Sequence, residues 1–142
     1  MWHHRYEEST PLACEALWPV LAEVARWPES DHNIEYLIIE SPPGPGVPFI
    51  LKPKGGPRLN FVIGEFEPPS RYSDVCKMPF ATMHTRHTLI PASEGTRIRI
   101  DIEIIGPLAR LWGLLVGRKH AGGLPAQTAR FIEGARRRAA NG

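Results

Sequence analysis

The sequence has little of what marks membrane, secreted or thiolate-rich chains. No apolar run approaches the roughly 18 residues of a membrane span, and Met1-Trp2-His3-His4-Arg5 lacks the apolar stretch of a secretion signal. Only two cysteines occur, Cys14 and Cys76, without CxxC spacing. Reduced thiols are therefore favoured over a disulfide. We expect a soluble cytoplasmic chain with no membrane span.

The sequence also lacks an excess of one charge and the short motifs of common cofactor sites. Seventeen basic side chains face 15 acidic ones, for a net charge of +2, which gives no reason to expect a nucleic-acid partner. GxGxxG, GxxxxGK[ST], HExxH and GxSxG are all missing, so no cofactor is expected. His84 and His87 lie three apart on a predicted strand and point to opposite faces, so we expect no metal site.

Glycine and proline, at 13 and 15 residues of 142, are concentrated between apolar alternating runs. Such clusters are typical of turns between strands. The length is that of one domain, so residues 1–142 are interpreted as a single domain. Short connections favour antiparallel pairing. The predicted strands are 2–8, 33–40, 47–54, 58–67, 71–78, 81–91 and 95–105.

Two short helices are predicted after the first strand. Thr10 offers a capping oxygen and Pro11 suits a first helical position. Because Pro19 falls inside the apolar stripe that follows, two helices meeting near Trp18 are favoured over one straight helix. Pro28 is expected to end the pair.

A long C-terminal helix is predicted to begin after Gly106-Pro107, with a kink or short break at Gly122-Gly123-Leu124-Pro125. Its apolar positions are Leu108, Leu111, Trp112, Leu115, Ala129, Ile132 and Ala135. The fold class is α+β, a curved antiparallel sheet of about seven strands wrapped around this helix. A curved sheet and a straight helix leave a hollow between them, where small ligands bind.

Four segments carry a resemblance to a known family. They are Leu17-Trp18-Pro19-Val20-Leu21 through Trp27-Pro28-Glu29, Glu67-Pro68-Pro69-Ser70-Arg71-Tyr72, Glu94-Gly95-Thr96-Arg97-Ile98 and Gly106-Pro107-Leu108-Ala109. With these segments the chain resembles the START-like (SRPBCC) superfamily, and more narrowly its polyketide cyclase/dehydrase-like branch. The resemblance spans nearly the whole chain and implies the helix-grip fold. It implies no single function, because relatives bind lipids, sterols, polyketides or plant hormones, act as cyclases or hydrolases, or assist other proteins.

Strand parity identifies the candidate site. If Leu89 faces inward, so does His87, and Asp74 is matched to the same interior on the preceding strand. A buried carboxylate needs a partner, and a neighbouring imidazole is a natural one. Asp74 and His87 are therefore candidate catalytic residues. The structural alternative is that Asp74 bonds turn backbone and His87 is a satisfied core histidine.

The remaining candidate ligand-binding residues follow from the same parity and from the aromatic pattern. Met83 and Thr85 share the inward face with His87, Tyr72 shares that of Asp74, and Tyr36 and Trp112 are placed at the hollow as aromatic contacts. The candidate ligand-binding set is Tyr36, Tyr72, Asp74, Met83, Thr85, His87 and Trp112.

Three functions remain open on these residues. The favoured one is binding of a small hydrophobic molecule, lipid-, polyketide- or aromatic-like, in the hollow. The second is a polyketide cyclase/dehydrase-type enzyme, in which Asp74 and His87, helped by Tyr36 or Arg86, move protons. The third is a protein-interaction module, and a homodimer is a possible assembly.

Overall fold

The computed structural model describes residues 1–141. Seven antiparallel strands form one sheet in the order β1-β7-β6-β5-β4-β3-β2, so the predicted antiparallel architecture is confirmed. Their bounds differ from the predicted ones by a few residues at most. The strands are β1 Trp2–Thr10, β2 Ile34–Ile38, β3 Pro48–Pro53, β4 Leu59–Glu67, β5 Arg71–Met78, β6 Ala81–Ala92 and β7 Gly95–Ile105.

Period-two alternation makes the sheet two-faced, most clearly on β7. Ile98, Ile100, Ile102 and Ile104 are buried on the inner face. The outer face carries charges that meet across strands: Arg5 lies opposite Asp101 and donates to its carboxylate at 2.7 Å. Such exposed pairs contribute a few tenths of a kcal/mol each, so the buried isoleucines hold β7 in place far more than the charges do.

A bulge helps the sheet to curve around the helix. The β4–β5 register shifts between Ile63 and Phe66, and the Ser73 hydroxyl accepts the Glu65 N–H at 2.8 Å. A β-carbon on the intervening Gly64 would approach the Ser73 oxygen at 2.9 Å. An extra residue in one strand bends it and increases its twist.

The first helical region departs from the predicted boundaries. Helix α1 spans Cys14–Ala22, and a single 3-10 turn leads to helix α2, Trp27–Ser30. Thr10 is still in strand β1, paired with Thr96. Helix α1 starts at Cys14 with Ala13 at its N-cap, so Thr10 does not cap it and Pro11 is not its first helical residue. The break falls at Glu23 rather than near Trp18, because Pro19 removes one ladder hydrogen bond while the buried side chains around it hold α1 together.

Pro28 does not end the pair as expected. It lies in the first turn of α2, where a backbone N–H would have no helical partner and proline is tolerated. The same tolerance explains why this short helix forms at all in a proline-containing segment.

The C-terminal helix is irregular at another place than predicted. Short helix α3, Ala109–Trp112, passes into a π turn over Gly113–Gly117, and α4 then runs from Arg118 to Asn141 through the predicted break. The Trp2 indole lies against Gly113 and Gly117 in this turn. A β-carbon at these two glycines would come within 2.5 and 2.7 Å of indole atoms. The ring therefore fits against the helix only because both positions lack a side chain.

Helix α4 covers the inner face of the sheet with one stripe of small and apolar side chains. The buried positions on it are Ala121, Leu124, Thr128, Ile132 and Ala135. Ala129, expected on this stripe, is exposed, because it follows Thr128 by one residue and so turns by about 100°. In the described part of the chain, none of the helices combines the length and apolar character needed to cross a bilayer.

Candidate functional site

A cavity of about 290 Å³ remains between the sheet and the helices. Its wall is mainly apolar, with aromatic rings from α2, β3, β4 and α4. The principal apolar lining residues are Val20, Leu21, Trp27, Ile34, Phe49, Leu51, Leu59, Phe61, Met83, Ile100, Leu115, Val116 and Phe131. The curved sheet and helix α4 do not follow each other throughout, which leaves this space.

A row of polar side chains interrupts this apolar wall at the centre of the sheet. Asp74 on β5 lies opposite Thr85 on β6, and His87 is the next inward residue along β6. All three line the cavity, and Thr128 faces it from α4. The inward parity expected for Asp74, Thr85 and His87 is therefore the one that the sheet adopts.

Asp74 is hydrogen-bonded to Tyr72, not to His87. The Tyr72 hydroxyl donates to Asp74 Oδ2 at 3.0 Å, since residues two apart on a strand share a face. This corrects the expected Asp74–His87 pairing. Burial raises the pKa of Asp74 to about 7, although the Tyr72 hydrogen bond acts in the opposite direction. The same burial, with the nearby Asp74 charge, raises the pKa of Tyr72, so its hydroxyl stays protonated.

His87 is held in its neutral form. Burial, with a smaller contribution from the nearby His120, lowers its pKa to about 4. The Tyr72 ring packs edge-on against the imidazole with centroids 5.8 Å apart. A neutral imidazole keeps one nitrogen free to accept a hydrogen bond.

Four polar atoms of this site have no hydrogen-bond partner within the described residues. They are Asp74 Oδ1, Thr85 Oγ1, His87 Nδ1 and Thr128 Oγ1. A buried polar atom without a partner destabilises a fold by about 1–3 kcal/mol, and such atoms are rare in proteins. Their concentration around one cavity, three on the sheet and Thr128 on α4, is typical of a site that receives a polar group from a ligand or from water.

Two hydrogen bonds link α4 to other elements beside the cavity. The Gln127 amide donates to Asp31 Oδ2 at 3.1 Å, linking α4 to the end of α2. The Lys119 ammonium donates to the Lys54 carbonyl at 2.9 Å, linking α4 to the β3–β4 turn. Both hydrogen bonds hold α4 in place over the sheet.

Three of the expected ligand-binding residues do not line the cavity. Tyr72 is fully buried behind Asp74. Tyr36 is displaced by a register shift between Ile34 and Tyr36, so that Ile34 lines the cavity instead. Trp112 lies before the π turn, donates its indole N–H to the Pro79 carbonyl at 2.8 Å and is not among the cavity-lining residues. Met83 does line the cavity.

Sequence reasoning missed His120 and Thr128. Both line the cavity from α4, and burial lowers the pKa of His120. The signal was present, because Val116, His120, Leu124 and Thr128 follow one another at intervals of four and so lie on one helical face. Recognising it required assuming that the helix continues through Pro125.

The side chains of this site have the chemistry to hold and transfer a proton, in addition to contacting a ligand. At neutral pH the Asp74 carboxyl, with a pKa of about 7, is divided between its acid and base forms. Neutral His87 is directed into the same cavity. Groups with pKa values near the working pH are the efficient general acids and bases. No set of three or more acidic, histidine or cysteine side chains within residues 1–141 is arranged to hold a metal ion.

Solved structures share this fold over nearly its whole length. The di-domain ARO/CYC StfQ from the steffimycin biosynthetic pathway has a TM-score of 0.77 at 15% identity, covering 97% of this chain and 51% of that one. Norcoclaurine synthase from Thalictrum flavum has a TM-score of 0.75 at 13% identity, covering 97% and 94%. Ara h 8.0201 has a TM-score of 0.70 at 15% identity, covering 93% and 98%.

At these identities the similarity shows a shared fold. A search of curated protein sequences finds no match. A family model does match, however, over residues 1–138, and its description is polyketide cyclase / dehydrase and lipid transport. With the helix-grip fold and its internal cavity established, this match over nearly the whole chain shows that the protein belongs to the polyketide cyclase / dehydrase and lipid transport family.

Proposed function

We propose that the protein binds a small, largely apolar molecule bearing one hydrogen-bonding group, in the cavity beneath α4. The observation that carries this proposal is the cluster of unpartnered polar atoms on an otherwise apolar wall. Ligand sites characteristically combine an apolar lining with a few convergent polar groups. A side-chain core with no ligand would have little reason to keep four such atoms unsatisfied.

The cavity lining indicates a ligand with an apolar part and a polar part. Phe49 and Phe61 are stacked with ring centroids 5.1 Å apart, and Trp27 packs edge-on against Phe49. These rings suit a flat apolar body. The polar group of the ligand would lie near Asp74 and Thr85, where a hydroxyl can donate to the free carboxylate oxygen.

The ionisation of Asp74 makes the preferred ligand chemistry testable. A hydroxyl donor pairs with the carboxylate and binds more tightly above pH 7, whereas a carbonyl acceptor pairs with the carboxylic acid and binds more tightly below it. Because the carboxylate already accepts one hydrogen bond from Tyr72, we expect the donor. A ligand that lacks this donor and leaves Asp74 Oδ1 without a hydrogen bond is expected to bind about tenfold more weakly, or weaker still.

Isothermal titration with 2-naphthol tests the proposal, with 2-methylnaphthalene as the matched compound without a hydroxyl. The expected result is saturable one-site binding of 2-naphthol, about tenfold tighter than that of 2-methylnaphthalene at pH 8. Two adjacent glycines supply matched variants. Gly123 lines the cavity and Gly122 has open space around it, so Gly123→Phe should block binding and Gly122→Phe should not.

Equal binding of 2-naphthol by both phenylalanine variants would place the probe outside the cavity and contradict the proposal. Absence of binding by the parent chain to both compounds would contradict it as well. Circular dichroism of the two variants serves as the folding control, since glycine replacement in a helix is otherwise favourable.

A cyclase/dehydrase-type activity is the second candidate. The observation favouring it is the Asp74 carboxyl with a pKa of about 7, in the same cavity as neutral His87. Such a carboxylate can remove a proton next to a ligand carbonyl. Two similar structures belong to proteins described as an ARO/CYC and as a synthase, the latter solved with dopamine and hydroxybenzaldehyde.

Deuterium exchange at carbon 1 of 2-tetralone, followed by NMR, tests this candidate. The enolate of 2-tetralone resembles 2-naphthol in shape. We expect the exchange rate to rise as the pH passes about 7, following Asp74 ionisation, and to fall to background in Asp74→Asn while 2-naphthol still binds. An unchanged rate in Asp74→Asn would exclude Asp74 as the base.

A further inference from the structure

Five large apolar side chains beside the cavity mouth are uncovered. We call Phe80, Leu108, Leu111, Leu114 and Leu115 the exposed apolar face. Phe80 is 73% exposed and Leu114 is 58% exposed. The sequence pattern predicts Leu108, Leu111 and Leu115 on the packed face of the C-terminal helix, yet the structure leaves them in solvent. Contiguous exposed apolar surface marks interaction sites.

The face is continuous in space, not only in sequence. The Leu108 N–H donates to the Phe80 carbonyl at 3.1 Å, which joins the β5–β6 turn to the start of α3. From Leu108 the leucines follow at helical intervals, and Leu115 also lines the cavity mouth. One apolar surface therefore extends from the turn to the opening of the cavity.

Phe80 is held out at a conformational cost. Its φ is 58°, in the left-handed region that glycine and asparagine favour. A bulky residue there costs on the order of 1–2 kcal/mol. The chain uses glycine at other turns with positive φ, so an exposed phenylalanine in this strained position is poorly explained by turn formation alone.

The surroundings of this face carry positive charge. Between residues 104 and 132 the sequence contains no aspartate or glutamate. Arg110, Arg118 and Lys119 are exposed in this stretch, and within residues 1–141 none of them forms an ion pair with a carboxylate. Apolar side chains flanked by unpaired cations are the combination that binds anionic bilayer surfaces.

We propose that the exposed apolar face docks on the surface of an anionic lipid bilayer. Phe80, Leu111 and Leu114 would enter the interface, and Arg110 and Arg118 would contact lipid phosphates. A second copy of this chain is a poorer occupant, because a two-fold contact would bring the same cations of both copies together. The cavity mouth at Leu115 would then face the bilayer; only this corollary rests on the proposed ligand binding.

Vesicle co-sedimentation tests the docking, using phosphatidylcholine vesicles with and without one third phosphatidylglycerol. The intact chain is expected to bind the anionic vesicles, and to lose about fivefold in affinity per cation removed, as in Arg118→Gln. Phe80→Gly should weaken binding about tenfold while relieving the strained backbone. Val62→Ser, which removes an exposed apolar residue from the outer sheet face, is the control and should bind as the parent does.

Three results would overturn the docking: no binding to anionic vesicles, equal binding to vesicles without phosphatidylglycerol, or equal effects of Phe80→Gly and Val62→Ser. A dimer seen by light scattering and lost in Phe80→Gly would assign the face to a second copy instead. Gly123→Phe separates the two proposals, because it blocks the cavity and should leave vesicle binding unchanged.

Discussion

The inner face of one sheet carries two chemically different regions on adjacent strands. On β7 it presents Ile98, Ile102 and Ile104, which are packed and almost without solvent contact, while Ile100 on the same face borders the cavity. On β5 and β6 it presents Asp74, Thr85 and His87 to a cavity, with polar atoms that lack partners in the described chain. The first region is organised for stability and the second keeps unmet hydrogen-bonding capacity, which is the usual mark of a functional surface.

The largest expected effect concerns the packed isoleucines of β7. Ile102 is 0% exposed, so Ile102→Ala should lower the free energy of unfolding by about 4 kcal/mol through lost burial and a residual void. Urea denaturation measures the change. A loss below about 1 kcal/mol would mean that the β7 region is as loosely filled as the cavity wall.

The second expected effect concerns Asp74 in the cavity, where substitution should raise the free energy of unfolding instead of lowering it. The raised pKa of Asp74, about 7, means that the folded state binds a proton that the unfolded state releases near pH 4. This group therefore lowers stability progressively as the pH rises from about 4 to 7. Asp74→Asn should stabilise the fold by about 2 kcal/mol at pH 8 and by much less at pH 5.

The titration of His87 also changes folding stability with pH, so its effect must be separated from that of Asp74. The pKa of His87 is lowered to about 4. The contribution of neutral His87 to folding stability is therefore fully present above about pH 6.5 and is lost as the pH falls towards 4. His120 is shifted in the same direction. Both oppose the Asp74 trend in acid, so the comparison of Asp74→Asn with the parent must be made at each pH by urea denaturation. A destabilised Asp74→Asn at pH 8 would contradict the desolvation of Asp74.

The smallest expected effect uses two buried threonines as a matched pair. Thr96 is 1% exposed and donates to the Leu12 carbonyl at 2.8 Å, whereas Thr85 is 4% exposed and its hydroxyl has no partner in the described chain. Thr96→Val should cost about 1–2 kcal/mol, whereas Thr85→Val should stabilise the fold by about 1 kcal/mol, because it removes a buried hydroxyl that has no partner within the described residues.

Thr85→Val should instead weaken 2-naphthol binding, which Thr96→Val leaves unchanged. Thermal denaturation and titration calorimetry of both variants separate the two effects. Equal destabilisation by the two substitutions would show that the Thr85 hydroxyl is satisfied in solution and would remove the distinction between the regions.

Strand content and inward parity were predictable from the sequence because they follow from local rules. The alternation of isoleucines on β7 and the Gly-Pro turns fix strand limits and faces independently of tertiary packing. The same parity places Asp74, Met83, Thr85 and His87 on the inner face. The ligand-binding and catalytic roles assigned to these residues stay predictions.

The predictions that were wrong concern segments whose local geometry depends on contacts with other parts of the chain. The π turn lies where Trp2, more than a hundred residues away in the chain, packs on Gly113 and Gly117, a contact that helical periodicity in the sequence does not reveal. The β2 register shift, which removes Tyr36 from the cavity, depends on pairing with β3. Asp74 was paired with the wrong neighbour because strand periodicity alone does not rank Tyr72 against His87.

The most direct measurement uses the methionine methyl groups as reporters of the two regions. Met83 lines the cavity, whereas Met78 is buried away from it. In a chain labelled with ¹³C at the methionine methyls, titration with 2-naphthol should shift the Met83 signal and give intermolecular NOEs to it, leaving Met78 unchanged. Shifts at Met78 without shifts at Met83, or no change at saturating 2-naphthol, would contradict a ligand-binding cavity beneath α4.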